Sequence, residues 1–152
     1  MSIFDEFLAQ KSIAVAGVSR TQTDAVANII YRKLREAGYH VFPINPHAEV
    51  VEGDPCYPTV KAIPEAVEGV VIATRPETTE EIVLQCADAG VSQVWMHRSF
   101  GQGSVSETAV NFCREHDIAV IPGGCPMMFC EPIDFGHRCM RWFLGISGSL
   151  PN

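Results

Sequence analysis

The sequence predicts a three-layer, doubly wound α/β domain on a mainly parallel five-stranded sheet. Two observations carry that expectation. Short apolar runs recur along the chain, and one of them, Gly69-Val70-Val71-Ile72-Ala73-Thr74, is continuous in the way of strands buried on both faces of a parallel sheet. Between the runs lie helical patterns of about ten residues or more, the length that right-handed parallel crossovers need. At 152 residues the chain is read as one domain, 1–152, with no internal boundary.

The elements follow in order. Residues 3–10 carry apolar groups at helical spacing, and Ser12 to Ala16 is the first strand. Thr23 or Asp24 is the expected N-cap of a helix over 25–37 with Ile29, Ile30 and Leu34 inward, and Gly38 closes it. The second strand is Tyr39 to Pro46, interrupted by its prolines. Val50 to Asp54 reads as turn, and Thr59 to Ala66 as an irregular helical link. After the third strand, Pro76 suits a first helical turn, Thr78 with Glu81 forms a capping-box pattern, and Gly90 ends that helix. Val91 to His97 is the fourth strand, Ser104 with Glu107 a second capping-box pattern, Asp117 to Pro122 the fifth strand, and Phe135 to Leu144 the last helix.

Composition excludes several classes. A net charge of -7 and a pI near 5.1 argue against nucleic acid or an anionic membrane as the main partner. No apolar stretch approaches the roughly 20 residues of a membrane span, and the N-terminus lacks the pattern of a signal peptide. The six cysteines need not be paired in a domain with this much apolar core, so a cytoplasmic location with reduced thiols is expected.

In such a sheet ligands bind beyond the carboxyl ends of the strands, where strand order reverses. That rule selects four loops, 17–23, 45–47, 73–76 and 97–103. They concentrate Arg20, His47, Arg75, His97 and Arg98, cations suited to a phosphorylated ligand. The dinucleotide fingerprint needs three glycines after the first strand and an acidic residue after the second. Here Gly17 stands alone, and the second strand ends in Asn45-Pro46, which disfavours NAD or NADP.

The residues resemble a known family at this point. Ile13-Ala14-Val15-Ala16-Gly17-Val18-Ser19, the run Gly38-Tyr39-His40-Val41-Phe42-Pro43-Ile44-Asn45-Pro46, Cys56-Tyr57-Pro58-Thr59-Val60 and the strand before Arg75-Pro76 are similar to the small stand-alone CoA-binding domains. These are related to the CoA-binding Rossmann domain of the succinyl-CoA synthetase alpha subunit. The resemblance implies a Rossmann-like fold with coenzyme A or an acyl-CoA as ligand. It implies that Gly17, Val18, Ser19 and Arg20 hold the diphosphate and that Asn45, Pro46 and His47 lie by the adenosine. Ala73, Thr74, Arg75 and Pro76 would line the opposite wall. His97 and Arg98 complete the candidate set at the far end. There the chain reads Trp95-Met96-His97-Arg98-Ser99-Phe100-Gly101 in place of the family's Trp-x-Gln-x-Gly, and Gly123-Gly124-Cys125 in place of Asp-Arg-Cys.

The same residues also suggest other chemistry. Cys125, in a loop at the ligand edge, is placed either to meet the CoA sulfur in a mixed disulfide or to serve as a half-buried loop residue. Cys125, Cys130, His137 and Cys139 do not have zinc spacing, so no metal is expected. His97 and His47 are the candidate acid–base groups, and no nucleophile elbow is present. The apolar segment from Met127 to Leu144 is expected to pack across the sheet or to meet a second copy or a protein partner. The expected function is binding of CoA or an acyl-CoA in a non-catalytic or regulatory role. The alternative is an NAD(P)- or nucleotide-dependent enzyme using the same crevice.

Overall fold

The computed structural model of the chain describes residues 2–151. Five parallel strands form the sheet: β1 (Ser12–Ala16), β2 (His40–Ile44), β5 (Gly69–Ile72), β6 (Gln93–Met96) and β7 (Ala119–Pro122), in spatial order β2-β1-β5-β6-β7. Two short strands, β3 (Val50–Val51) and β4 (Asp54–Pro55), pair antiparallel beside it. The helices are α1 (Ile3–Leu8), α2 (Val26–Glu36), α3 (Pro76–Ala89), α4 (Glu107–Glu115) and α5 (Phe135–Ile146), with a single 3₁₀ turn at Pro126–Met128. The chain winds outward to β2, then returns past β1 to β5. The order therefore reverses between β1 and β5, and the crevice opens at their carboxyl ends.

Alternation along the strands sorts the core into two layers. Ala14, Ile72, Val94 and Met96 face α3 and α4, where Ile82, Cys86 and Val110 meet them. Ile13, Val15, Val71 and Trp95 face the other way, against α1 and α2, where Phe7, Ile30 and Leu34 close over them. The Trp95 indole N–H donates to the Gly123 carbonyl at 2.9 Å, and its ring packs edge-on against Phe7. Gly69 is required here, since a Cβ would lie 2.9 Å from the Phe7 ring. Pro43 is tolerated because β2 is an edge strand.

Several local expectations are corrected. The N-cap of α2 is Ala25, with no side-chain acceptor, rather than Thr23 or Asp24. Ile29 is only half-buried; Asn28 and Tyr31 turn inward beside Ile30. Pro76 takes the first position of α3 with Arg75 as its N-cap, which places Thr78 and Glu81 inside the helix and leaves no capping box. In α4 the cap is Ser106, accepting from the Ala109 N–H, while Ser104 is buried and gives its carbonyl to Thr79. Residues 50–55 form the β3–β4 hairpin, turning on Glu52 and Gly53 at φ 54° and 81°, and residues 59–66 are turns rather than helix. The last helix runs outward: Leu144 is buried, but Phe135, Trp142, Phe143 and Ile146 are exposed. The sheet face it approaches is already covered by α1 and Phe129, whose ring stacks on Phe4.

Candidate functional site

A cleft of about 390 Å³ opens at the switch point. It lies at the low end of the roughly 300–1,000 Å³ usual for small-molecule sites. One wall is the turn after β1, Gly17 to Ser19. A second is the end of β2, Ile44 to Pro46, continued by Pro58 and Thr59. The third is one face of α3: Thr78, Glu81, Ile82 and Gln85 follow the i, i+3, i+4, i+7 spacing of a helical stripe.

The turn is held rigidly. Gly17 has φ +103°, and a Cβ there would lie 2.2 Å from the Ala73 carbonyl oxygen, so β1 and β5 can approach this closely only with glycine. Ser19 is clasped by the fully buried Asn28 of α2: its N–H donates to Asn28 Oδ1 and Asn28 Nδ2 donates to its carbonyl, each at 2.8 Å. The same Nδ2 also donates to Glu52 on the hairpin at 2.8 Å, and Arg32 pairs with that carboxylate at 2.9 Å. Ser19 Oγ then accepts from the N–H groups of Thr21 and Gln22. From the other side, Asn45 Nδ2 donates to the Val18 carbonyl at 2.9 Å, and Asn45 Oδ1 accepts from the His47 N–H at 2.8 Å. Among the described residues, the backbone N–H groups of Val18 and Arg20 take no partner within the protein. The first turn of α2 adds N–H groups left open by Ala25.

The sequence-expected residues divide by position. Gly17, Val18, Ser19, Asn45, Pro46 and Thr74 line the cleft together. Arg20 and His47 meet at its rim, where the guanidinium donates to the His47 carbonyl at 2.6 Å. Ala73 backs Gly17, Arg75 caps α3 and Pro76 opens it. His97 and Arg98 lie elsewhere, at the end of β6, about two strand spacings or roughly 10 Å from β1. Arg98 turns to β7, its guanidinium donating to the Pro122 carbonyl at 3.2 Å and its N–H to Gly124. His97 stands 3.4 Å from Ser99 Oγ on the α5 side, and burial, with His137 as a lesser cause, holds its pKa down at about 4. A weakly basic, enclosed imidazole away from the cleft is poorly placed for acid–base work there.

Five of the six cysteines are buried. Cys125 is 1% exposed, and burial pushes its thiol up to about 11. Cys139, on α5, is the exposed thiol of the six. Among the described residues no group of three or more His, Cys, Asp or Glu side chains comes together as a metal site. Sequence reading missed Pro58, Thr59 and the α3 face, together with the supports Asn28 and Glu52. The α3 stripe is visible in the sequence as periodicity, but Thr78 and Glu81 also fit a helix-start pattern, which masks it.

Residues 11–131 match the CoA binding domain family. The chain is 34% identical over 83 residues to acetate–CoA ligase [ADP-forming] II of Archaeoglobus fulgidus, a stretch that is 53% of this chain and 12% of that ligase. The chain thus spans a small part of the curated ligases it matches. A hypothetical protein from Pyrococcus horikoshii OT3 superposes with a TM-score of 0.78 at 32% identity, covering 86% of this chain and 89% of that one. The acetyl-coenzyme A synthetase 1 of Ca. Korarchaeum cryptofilum, solved with phosphate and ADP, superposes with a TM-score of 0.63 at 28% identity over 73% of this chain and 25% of that chain. With the family matched over most of its length and the fold shared, the chain belongs to the CoA binding domain family.

Proposed function

We propose that the protein binds coenzyme A or an acyl-CoA in the switch-point cleft, as a non-catalytic binding or regulatory protein. The observation that carries this is the cleft itself. A largely apolar hollow runs into the turn Gly17 to Ser19, where the Val18 N–H and the neighbouring Arg20 N–H take no partner among the described residues, and the first turn of α2 follows with its own N–H groups open. Backbone N–H groups at a helix start favour phosphate oxygens without demanding a basic surface, which suits a chain of net charge -7. In this reading Gly17 to Arg20 hold the diphosphate, with Arg20 and His47 at the rim. Asn45 and Pro46 border the adenosine, Thr74 to Pro76 form the facing wall, and the pantetheine runs toward His97 and Arg98.

Titration calorimetry and thermal shift with CoA, acetyl-CoA, NAD, NADP and ATP test the reading. CoA at a hundredfold excess over Kd stabilises the native state by about 2.7 kcal/mol. The same samples, incubated with acetyl-CoA, are expected to release no free thiol. A shift with NAD or NADP and none with CoA would overturn the proposal in favour of a dinucleotide-dependent enzyme. The outward face of α5, with Phe135, Trp142 and Ile146, is where a second copy or a protein partner would dock. Light scattering of the purified chain reports the self-association arm.

A further inference from the structure

The α3 wall of the cleft carries a charge of the wrong sign for a phosphate site. Glu81 lines the cleft and is exposed, and among the described residues its carboxylate makes no hydrogen bond or ion pair. No Lys, Arg or His joins it on the cleft walls. A free carboxylate repels the diphosphate and the 3′-phosphate of CoA, so this end of the cleft must face a neutral part of the ligand that offers hydrogen-bond donors. One helical turn on, at i+4 and so on the same face, stands Gln85. Its Oε1 already accepts from the Val60 N–H at 3.1 Å, which turns the amide so that Nε2 is the group left to donate. Around the pair, Ile44, Pro46, Pro58 and Ile82 supply rigid apolar surface of the kind a planar base packs on.

An acceptor beside a donor on a shared face is the complement of an amino-bearing base edge, which adenine has and the 6-oxopurines do not. Adenine presents its N6 amino group as donor next to N1 as acceptor. Guanine and hypoxanthine present a carbonyl oxygen next to an N1–H, the reverse pattern. We propose that Glu81 and Gln85 read the adenine edge of the ligand, Glu81 accepting from N6 and Gln85 Nε2 donating to N1. This inference rests on the CoA reading above and adds to it the residues that select the base. It also orders the ligand: phosphates lie at the turn beside Gly17, and the base lies along the α3 wall beside Glu81.

The test is calorimetric titration of the full chain with CoA and with its deamino analogue, in which hypoxanthine replaces adenine. The wild-type protein binds the deamino analogue at least about fivefold more weakly, the cost of two mismatched groups at a base edge. Glu81→Ala weakens CoA binding while leaving the analogue nearly unchanged, so the ratio falls toward one. Glu81→Gln, whose amide can donate to the hypoxanthine oxygen, moves the ratio further toward the analogue. Because Glu81 is exposed, both variants are expected to melt as the wild type does, which circular dichroism verifies. Equal wild-type affinity for the two ligands, or a ratio that survives in both variants, overturns the inference while leaving CoA binding intact. Absence of any CoA binding by the wild type overturns the functional reading, and this inference falls with it.

Discussion

Asn28 is the residue whose removal most directly tests whether the turn is held as described. Asn28→Ala deletes three hydrogen bonds of 2.8 Å: two that clasp Ser19 and one to the Glu52 carboxylate. A neutral bond contributes about 1 kcal/mol net and a bond to a charged group about 1.5–3 kcal/mol. The sum is discounted because Ser19 is only half-buried and water can reach its freed groups. The expected loss is about 3 kcal/mol. With a urea dependence near 1.5–2 kcal/mol/M, the unfolding midpoint falls by about 1.5–2 M, which leaves a folded protein for a domain of ordinary stability. CoA affinity falls with it, because the freed Ser19 peptide no longer fixes the Val18 and Arg20 N–H groups beside it. Asn28→Asp sharpens the test. It keeps the acceptor for the Ser19 N–H, but sets a carboxylate against the Ser19 carbonyl and against Glu52. One of the two carboxyls must then hold its proton above the usual range in the folded state, which binds more protons than the unfolded chain there. The deficit of the Asp variant relative to wild type therefore shrinks as pH falls from 7 to 5, whereas that of the Ala variant does not. A loss below about 0.5 kcal/mol in Asn28→Ala, with unchanged CoA affinity, would refute the reasoning.

Three further outcomes are expected. Gly17→Ala forces a Cβ to 2.2 Å from the Ala73 oxygen at φ +103°, so it costs at least about 2 kcal/mol in urea unfolding and abolishes CoA binding; a variant of wild-type stability would contradict the close approach. His97 has a folded pKa near 4 against an ordinary value of 6.5, so its contribution is complete above pH 6.5 and is lost as pH falls toward 4, by about 3 kcal/mol at most. Unfolding measured at pH 7, 6, 5 and 4.5 shows this decline, and His97→Gln flattens it; an identical slope in the variant rules the assignment out. Native thiol labelling modifies Cys139 rapidly and the five buried cysteines slowly, so Cys139→Ser removes the fast phase; a fast phase that persists at Cys125 would revive the mixed disulfide.

The strands were legible because apolar runs such as Gly69 to Ile72 are set by burial on both faces, a requirement written residue by residue. Helix starts were not, because Thr, Ser, Asp and Glu recur near several possible starts, and tertiary packing decides among them. Pro76 decides for α3, and Ser106 replaces Ser104 because the latter is drawn under Thr79. The same ambiguity hid the α3 wall of the cleft: Thr78 and Glu81 fit a capping box locally and come to line the cleft only once Pro76 has fixed the register. Asn45 shows the converse. Its place in the Gly38 to Pro46 run identified the family, and the resemblance set it beside the adenosine, yet its amide is committed to the protein: Nδ2 to the Val18 carbonyl and Oδ1 to the His47 N–H. This gives a physical reason why the dinucleotide signature is missing here. An Asp at position 45 could accept from His47 but could not donate to Val18, so the carboxylate that grips an NAD ribose would release the turn after β1. An amide rather than a carboxylate at the end of β2 is thus a condition of this particular turn, a constraint separate from the missing glycines.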